Sequence, residues 1–181
     1  MPDHPTQQPA QQPAQPAQPR DHGAHPAVRR VVAALTDHGV PGMPDRLRVL
    51  DDSARTAAQA AEQLGVGVAQ IANSLVFSAD DAPLLVMASG GHRVDTAKVA
   101  ALVGAQRVDR ADADFVRTHT GFAIGGVAPV GHPEPLRTLV DNDLAAFDEV
   151  WAAGGHPHTV FPTTYDELLR ITGGTPADVG E

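Results

Sequence analysis

The sequence predicts an α+β domain: a curved mixed sheet flanked by helices. Three observations lead there. Segments of helical and of strand period are intermixed without a regular strand–helix alternation, which argues against a doubly wound parallel sheet. The clearest strand pair, residues 74–77 and 84–88, is joined by the turn Asp80-Asp81-Ala82-Pro83, so antiparallel pairing enters early. Both strands are nearly continuous apolar runs, which requires cover on both faces.

In chain order, residues 1–26 are Pro, Gln and Ala in near-repeat. Such a composition buries little apolar surface, so a disordered tail is expected, with the folded domain spanning 27–181. Val28, Val31, Val32 and Leu35 recur at helical spacing over 27–38, and Gly39 stops them. Leu47, Val49 and Leu50 form a short strand. Ser53 precedes an alanine-rich helix over 54–64 that ends at Gly65, and a turn of helix over 68–71 leads into the hairpin. Beyond it come a helix over 96–103 stopped by Gly104, a short strand at Val108 and a helix from Asp112 to Thr118. Strands are expected at 136–140, 149–153 and 158–161. Thr164 and Glu167 stand at capping-box spacing before a helix over 165–172 that Gly173-Gly174 ends.

Composition narrows the function. At 181 residues and 42% hydrophobic, the chain suits one domain burying about 68–70% of its unfolded surface. Aromatic residues make up only 4%, so the core must rest on Val, Leu, Ile and Ala. No run of eighteen apolar residues exists, and no leader pattern opens the chain, so a cytoplasmic protein without a membrane span is expected. Cysteine is absent, which removes disulfides, thiolate nucleophiles and Cys-ligated zinc together. The net charge of -9 repels nucleic acid at long range and weighs against a nonspecific DNA or RNA binder. It is compatible with a local basic patch that grips one RNA terminus. Lys98 is the only lysine.

One stretch organises the rest: residues 121–135, an apolar entry, the pair Gly125-Gly126, then Pro129, Pro133 and Pro135. Glycine lets a ligand approach the backbone, and proline stiffens the path. A rigid concavity is expected, with the N–H groups of Gly125, Gly126 and Val127 facing a ligand; an ordinary tight connection is the alternative. His156 and His158 would share a face of a strand, and with His132 and His92 they would make a zinc site. No H-E-x-x-H spacing supports that, and Pro157 interrupts the strand, so no metal and no cofactor are expected. His132 or His92 as a general base is a further alternative. Arg93 and Asp95 are either an ion pair at a helix start or, for Arg93, a phosphate contact. Ser74 lacks the G-x-S-x-G elbow, and Gly90-Gly91 is not followed by a Walker lysine.

Gly125-Gly126-Val127-Ala128-Pro129 resembles the G-x-x-x-P loop of the YbaK and prolyl-tRNA-synthetase-associated editing domains, the group that includes ProX and ProXp-ala. Ala72-Asn73-Ser74-Leu75-Val76-Phe77 resembles that family's I-x-K-S/T-L-V-F strand. Residues 89–95 followed by Lys98-Val99-Ala100 resemble its S-G-x-x-R-V-D helix entry, and 148–161 its C-terminal strands. The resemblance implies a partly barrel-like sheet and hydrolysis of the ester between a small amino acid and the terminal ribose of tRNA, with tRNA-Pro foremost. It implies aminoacyl-tRNA as the partner, and a prolyl-tRNA synthetase as a further one. Carried over residue by residue, it points to Gly125, Gly126, Val127 and Asn73 for catalysis. For substrate binding it points to Ser74, Arg93, Asp95, Lys98, Pro129, His132 and His158. Asn73 stands where many relatives carry lysine. Either it holds ribose or water by neutral hydrogen bonds, or the chain is an inactive module that binds aminoacyl ends or a synthetase.

Overall fold

The computed structural model describes residues 21–181. Most of the expected tail, residues 1–20, lies outside them. Within the described residues His22–Ala24 form a 3-10 turn, and His25 caps helix α1 (Pro26–Asp37) by accepting from the Ala27 N–H. The order continues β1 (Arg48–Val49), α2 (Ala57–Leu64), β2 (Ile71–Ala79), β3 (Ala82–Ser89), α3 (Thr96–Val103), β4 (Val108–Arg110) and α4 (Ala113–Thr120). It closes with β5 (Arg137–Asp141), β6 (Val150–Ala153), β7 (Thr159–Thr163), α5 (Tyr165–Thr172) and β8 (Thr175–Ala177).

The fold is α+β with a mixed sheet, as expected. The sheet runs β1-β7-β6-β2-β3-β5-β8, and β4 pairs β2 off that path. β2 and β3 form the central antiparallel hairpin, while β6 joins β2, β5 joins β3 and β8 joins β5 in parallel. Asp80 and Asp81 turn the hairpin with φ of 48° and 69°, a left-handed pair that Asp tolerates better than most residues. The Asp80 carboxylate then accepts from the Gln106 and Arg107 N–H groups, which draws β4 against the end of β2.

β3 shows why its sequence is apolar throughout. Leu85 and Met87 face a core made with α1, α4 and α5, through Val31, Leu35, Val116 and Leu168. Leu84, Val86 and Ala88 face a second core with Val99 and Val103 of α3. Each fully buried Leu, Val or Met contributes about 1.5–3 kcal/mol, so β3 secures both layers at once. A third cluster, around Ala60, Ile71, Trp151 and Val160, seats α2.

The differences from expectation are local. α2 starts three residues later than expected, because Thr56 rather than Ser53 supplies the cap to the Gln59 N–H. Ala54 is held instead by donation from its N–H to the Pro157 carbonyl. Thr164 caps α5 through the Glu167 N–H, but the Glu167 carboxylate turns to the Thr163 hydroxyl and Arg46 instead of closing the box. β8 had no signal in a segment containing Gly174 and Pro176.

Candidate active site beside the glycine-proline loop

One edge of β2 opens between two partners. β6 pairs with Ile71 and Ala72, β4 pairs with Phe77 to Ala79, and residues 73–76 between them have no strand on that edge. Asn73, Ser74 and Leu75 line a cavity of about 350 Å³ at this opening, and they are half-buried between the buried pairs Ile71-Ala72 and Val76-Phe77. Ile71, Trp151 and Val160 give the cavity an apolar wall. The Trp151 indole N–H is buried and has no partner among the described residues. A buried donor left unpaired is uncommon and costs stability unless something outside the protein meets it.

Gly125 and Val127 form the opposite wall. Their N–H groups donate no hydrogen bond within the described residues. The Gly126 N–H does: it donates to the Ala123 carbonyl at 3.0 Å, so the expected trio of free amides is a pair. Gly125 takes φ +90°, a conformation few residues other than glycine adopt. Gly126 lies so close to His156 that an added Cβ would stand 3.0–3.1 Å from its backbone atoms. Both glycines are therefore required, for different reasons.

The loop is held from behind. Phe122, Val127, Ala128 and Val130 are buried in the core shared with α1. Arg30 of α1 donates from Nε to the Gly131 carbonyl (2.8 Å) and from Nη2 to the Gly121 carbonyl (2.9 Å), with its guanidinium over the Phe122 ring. His132 Nε2 donates to the Ala128 carbonyl at 2.8 Å. Burial pulls the His132 pKa below its ordinary value, and nearby Arg30 adds to this, against the opposing hydrogen bond.

Three arginines surround the opening of β2. Arg55 lies on the extended turn before α2, against Gly125, and with Arg110 of β4 lines the cavity. Arg110 also lines a second, wider cavity with Asn73 and Arg93. The guanidiniums of all three enter no ion pair or hydrogen bond within the described residues. Exposed arginines are commonly just solvated; three converging on one opening of a chain with net charge -9 is a less common arrangement. Neither Arg55 nor Arg110 stood out in the sequence, because what assembles them is the late start of α2 and the pairing of β4 with β2.

The other expected site residues lie elsewhere. Asp95 caps α3 by accepting from the Ala97 and Lys98 N–H groups and makes no ion pair with Arg93. Lys98 is spent on Asp178 and the Gly180 carbonyl. Pro129 and His132 line a separate depression, next to Glu134 and Arg170. His158 stacks on His22 at 4.1 Å, with its Nδ1 against the Leu50 carbonyl. His156 joins that stack, and burial, then the neighbouring His22, His25 and His158, lower its pKa. His92 contacts Asp141 and Asp143, at 2.7 and 3.3 Å. The expected zinc alternative therefore fails geometrically, since His132, His92 and the 156/158 pair occupy three places.

Residues 51–171 match the model of the aminoacyl-tRNA editing domain family. A crystal structure described as that of a candidate trans-editing enzyme for prolyl-tRNA synthetase superposes with a TM-score of 0.80 at 44% identity, covering 87% of this chain and 98% of that one. The chain is 32% identical to the uncharacterised protein YwhH of Bacillus subtilis over 67% of its own length and 78% of that protein's. It is 28% identical to a proline–tRNA ligase of Nitratidesulfovibrio vulgaris over 72% of its own length, but this spans only 21% of the ligase.

Proposed function

The chain belongs to the aminoacyl-tRNA editing domain family, and on that premise we propose that it is a deacylase acting in trans on mischarged tRNA. Its substrate is the ester of a small amino acid on the terminal ribose, on tRNA-Pro first of all. The observation that carries this is the pairing of two unspent amides, of Gly125 and Val127, with a cavity of about 350 Å³.

An aminoacyl ester is already activated, so hydrolysis needs a placed water and donors for the developing oxyanion. Loss of one such donor typically costs about 2.7–4 kcal/mol, so two rigid amides supply a large share of the barrier reduction. The polar groups of Asn73 and the Ser74 hydroxyl are placed for the ribose or the water; Ser74 meanwhile contacts the Met87 sulfur at 3.3 Å. The apolar wall of Ile71, Trp151 and Val160 receives the side chain. One methylene discriminates by only about 1–3 kcal/mol, so such a site selects by excluding the larger cognate residue.

A screen of the purified protein against tRNA-Pro carrying alanine, cysteine or serine tests this. Release above buffer is expected for at least one; no release from any of them sinks the proposal. Asn73, neutral where many relatives have lysine, favours a second reading, a module that binds aminoacyl ends without turnover. Binding without hydrolysis, with Asn73→Lys restoring turnover, would establish it.

A further inference from the structure

The first cavity does not end at Asn73. Along the same face of β2, Asn73, Leu75 and Phe77 continue into the second cavity, of about 600 Å³, whose far wall carries Arg93 and Thr96. Asn73, Leu75 and Arg110 line both cavities, so the two abut. Resting on the deacylase reading, we infer that this second cavity is a subsite for the phosphodiester on the 5′ side of the terminal adenosine. Arg110 at the junction and Arg93 beyond it are its ligands.

The chemistry follows from what is and is not committed. The first cavity is lined by apolar side chains and by Gly125 and Val127, whose amides are uncommitted, which suits an ester and a sugar. A terminal nucleotide inside it must leave through an opening with its backbone phosphate alongside. At the junction stands a guanidinium with no partner among the described residues, and a second lies beyond it. Of the acids on this cavity, Asp109 is engaged by Arg107, and Glu181 is exposed and makes no ion pair among the described residues. A guanidinium presents a planar fork that fits phosphate oxygens two at a time. Arg110 thereby supplies from β4 the positive charge that Asn73 does not supply from β2.

Arg110→Gln and Arg93→Gln in the full chain separate this from the alternatives, with Arg117→Gln, exposed on α4, as control. Two substrates are compared: alanyl-tRNA, which has the phosphodiester, and alanyl-adenosine, which lacks it. Arg110→Gln is expected to raise KM for alanyl-tRNA about tenfold more than it raises KM for alanyl-adenosine, with the loss in KM and not in kcat. Arg93→Gln shows the same pattern, smaller. Equal losses on both substrates would place Arg110 inside the ester site and overturn the inference; so would no change on either. Should the parent protein hydrolyse neither of these, and release neither cysteine nor serine from tRNA-Pro, the deacylase reading falls on its own, and binding still decides the subsite. A fluorescent RNA hairpin ending in single-stranded C-C-A would lose about 0.7 from its log–log salt slope for the removed contact. An unchanged slope overturns the inference.

Discussion

The two halves of the segment 121–135 are built for opposite purposes. From Gly125 to Val127 the backbone keeps two N–H groups unspent beside a cavity, and Ala123 and Ile124 just before it are exposed. From Ala128 to Val130 the chain is buried, and the Ala128 and Gly131 carbonyls are taken by His132 and Arg30. The first half is left polar and unsatisfied; the second satisfies itself and fixes the first. Unpaired amides of this kind are useful only if they do not have to move when charge develops, so the anchored half is a condition of the open half. Stiffness here comes less from the prolines than from side chains in the core: of the three, only Pro129 is buried.

The sharpest way to break this contrast is at the two adjacent glycines. Gly125→Ala adds a Cβ that meets Arg55 at 3.6–3.8 Å, an ordinary contact, so its cost is the φ of +90°. Stability is expected to fall by about 1–3 kcal/mol, while deacylation falls about 10²–10³-fold because the amide turns away. Gly126→Ala instead drives its Cβ into the His156 backbone, which cannot yield as a side chain would. Its main effect is on the melting temperature and the yield of folded protein. Equal effects of the two on stability and on turnover would erase the division.

That division was only partly legible beforehand. The glycine–proline spacing and the strand through Asn73 are local patterns, and both lead to the cavity. The hairpin was legible for the same reason, since β3 is apolar on both faces and its turn is adjacent in sequence. What was missed depends on contacts distant in sequence: Arg30 lies 91 and 101 residues from the two carbonyls it holds. Arg55 and Arg110 reach the site because Thr56 caps α2 and Asp80 draws in β4. A polar side chain in a family motif reads the same whether it meets substrate or a partner within the chain: His132 bonds the Ala128 carbonyl, Lys98 bonds Asp178 and the Gly180 carbonyl, and Asp95 accepts from the Ala97 and Lys98 N–H groups. Only the fold says that all three are occupied.

Arg30 gives the next smaller effect. Arg30→Ala removes two hydrogen bonds and the contact over Phe122, at 4.5 Å, without touching the cavity. About 1–3 kcal/mol of stability should go, and kcat/KM should drop about tenfold, mostly in kcat because positioning and not binding is lost. Arg30→Lys keeps the charge but cannot bridge both carbonyls, so partial recovery is expected. A full loss of stability with normal turnover per folded molecule would show that the loop keeps its shape unaided.

The smallest effect belongs to His132 and is a matter of pH. Its folded-state pKa lies below the ordinary histidine value of 6.5, chiefly through burial. The unfolded chain therefore takes up the proton more readily than the folded one. Its neutral form is favoured by folding above 6.5, and stability is lost as pH falls from there towards the depressed folded value. His132→Gln retains a donor for the Ala128 carbonyl but does not titrate. The urea midpoint of this variant should decline less between neutral pH and the acid limb than that of the parent. Some decline remains, because His156 is depressed in the same direction. Turnover at neutral pH should be unaffected, since His132 lies behind the loop and not in the cavity. Were His132→Gln to abolish turnover while leaving the midpoints at every pH unchanged, the anchored half would be taking part in the chemistry, and the contrast between the halves would fail.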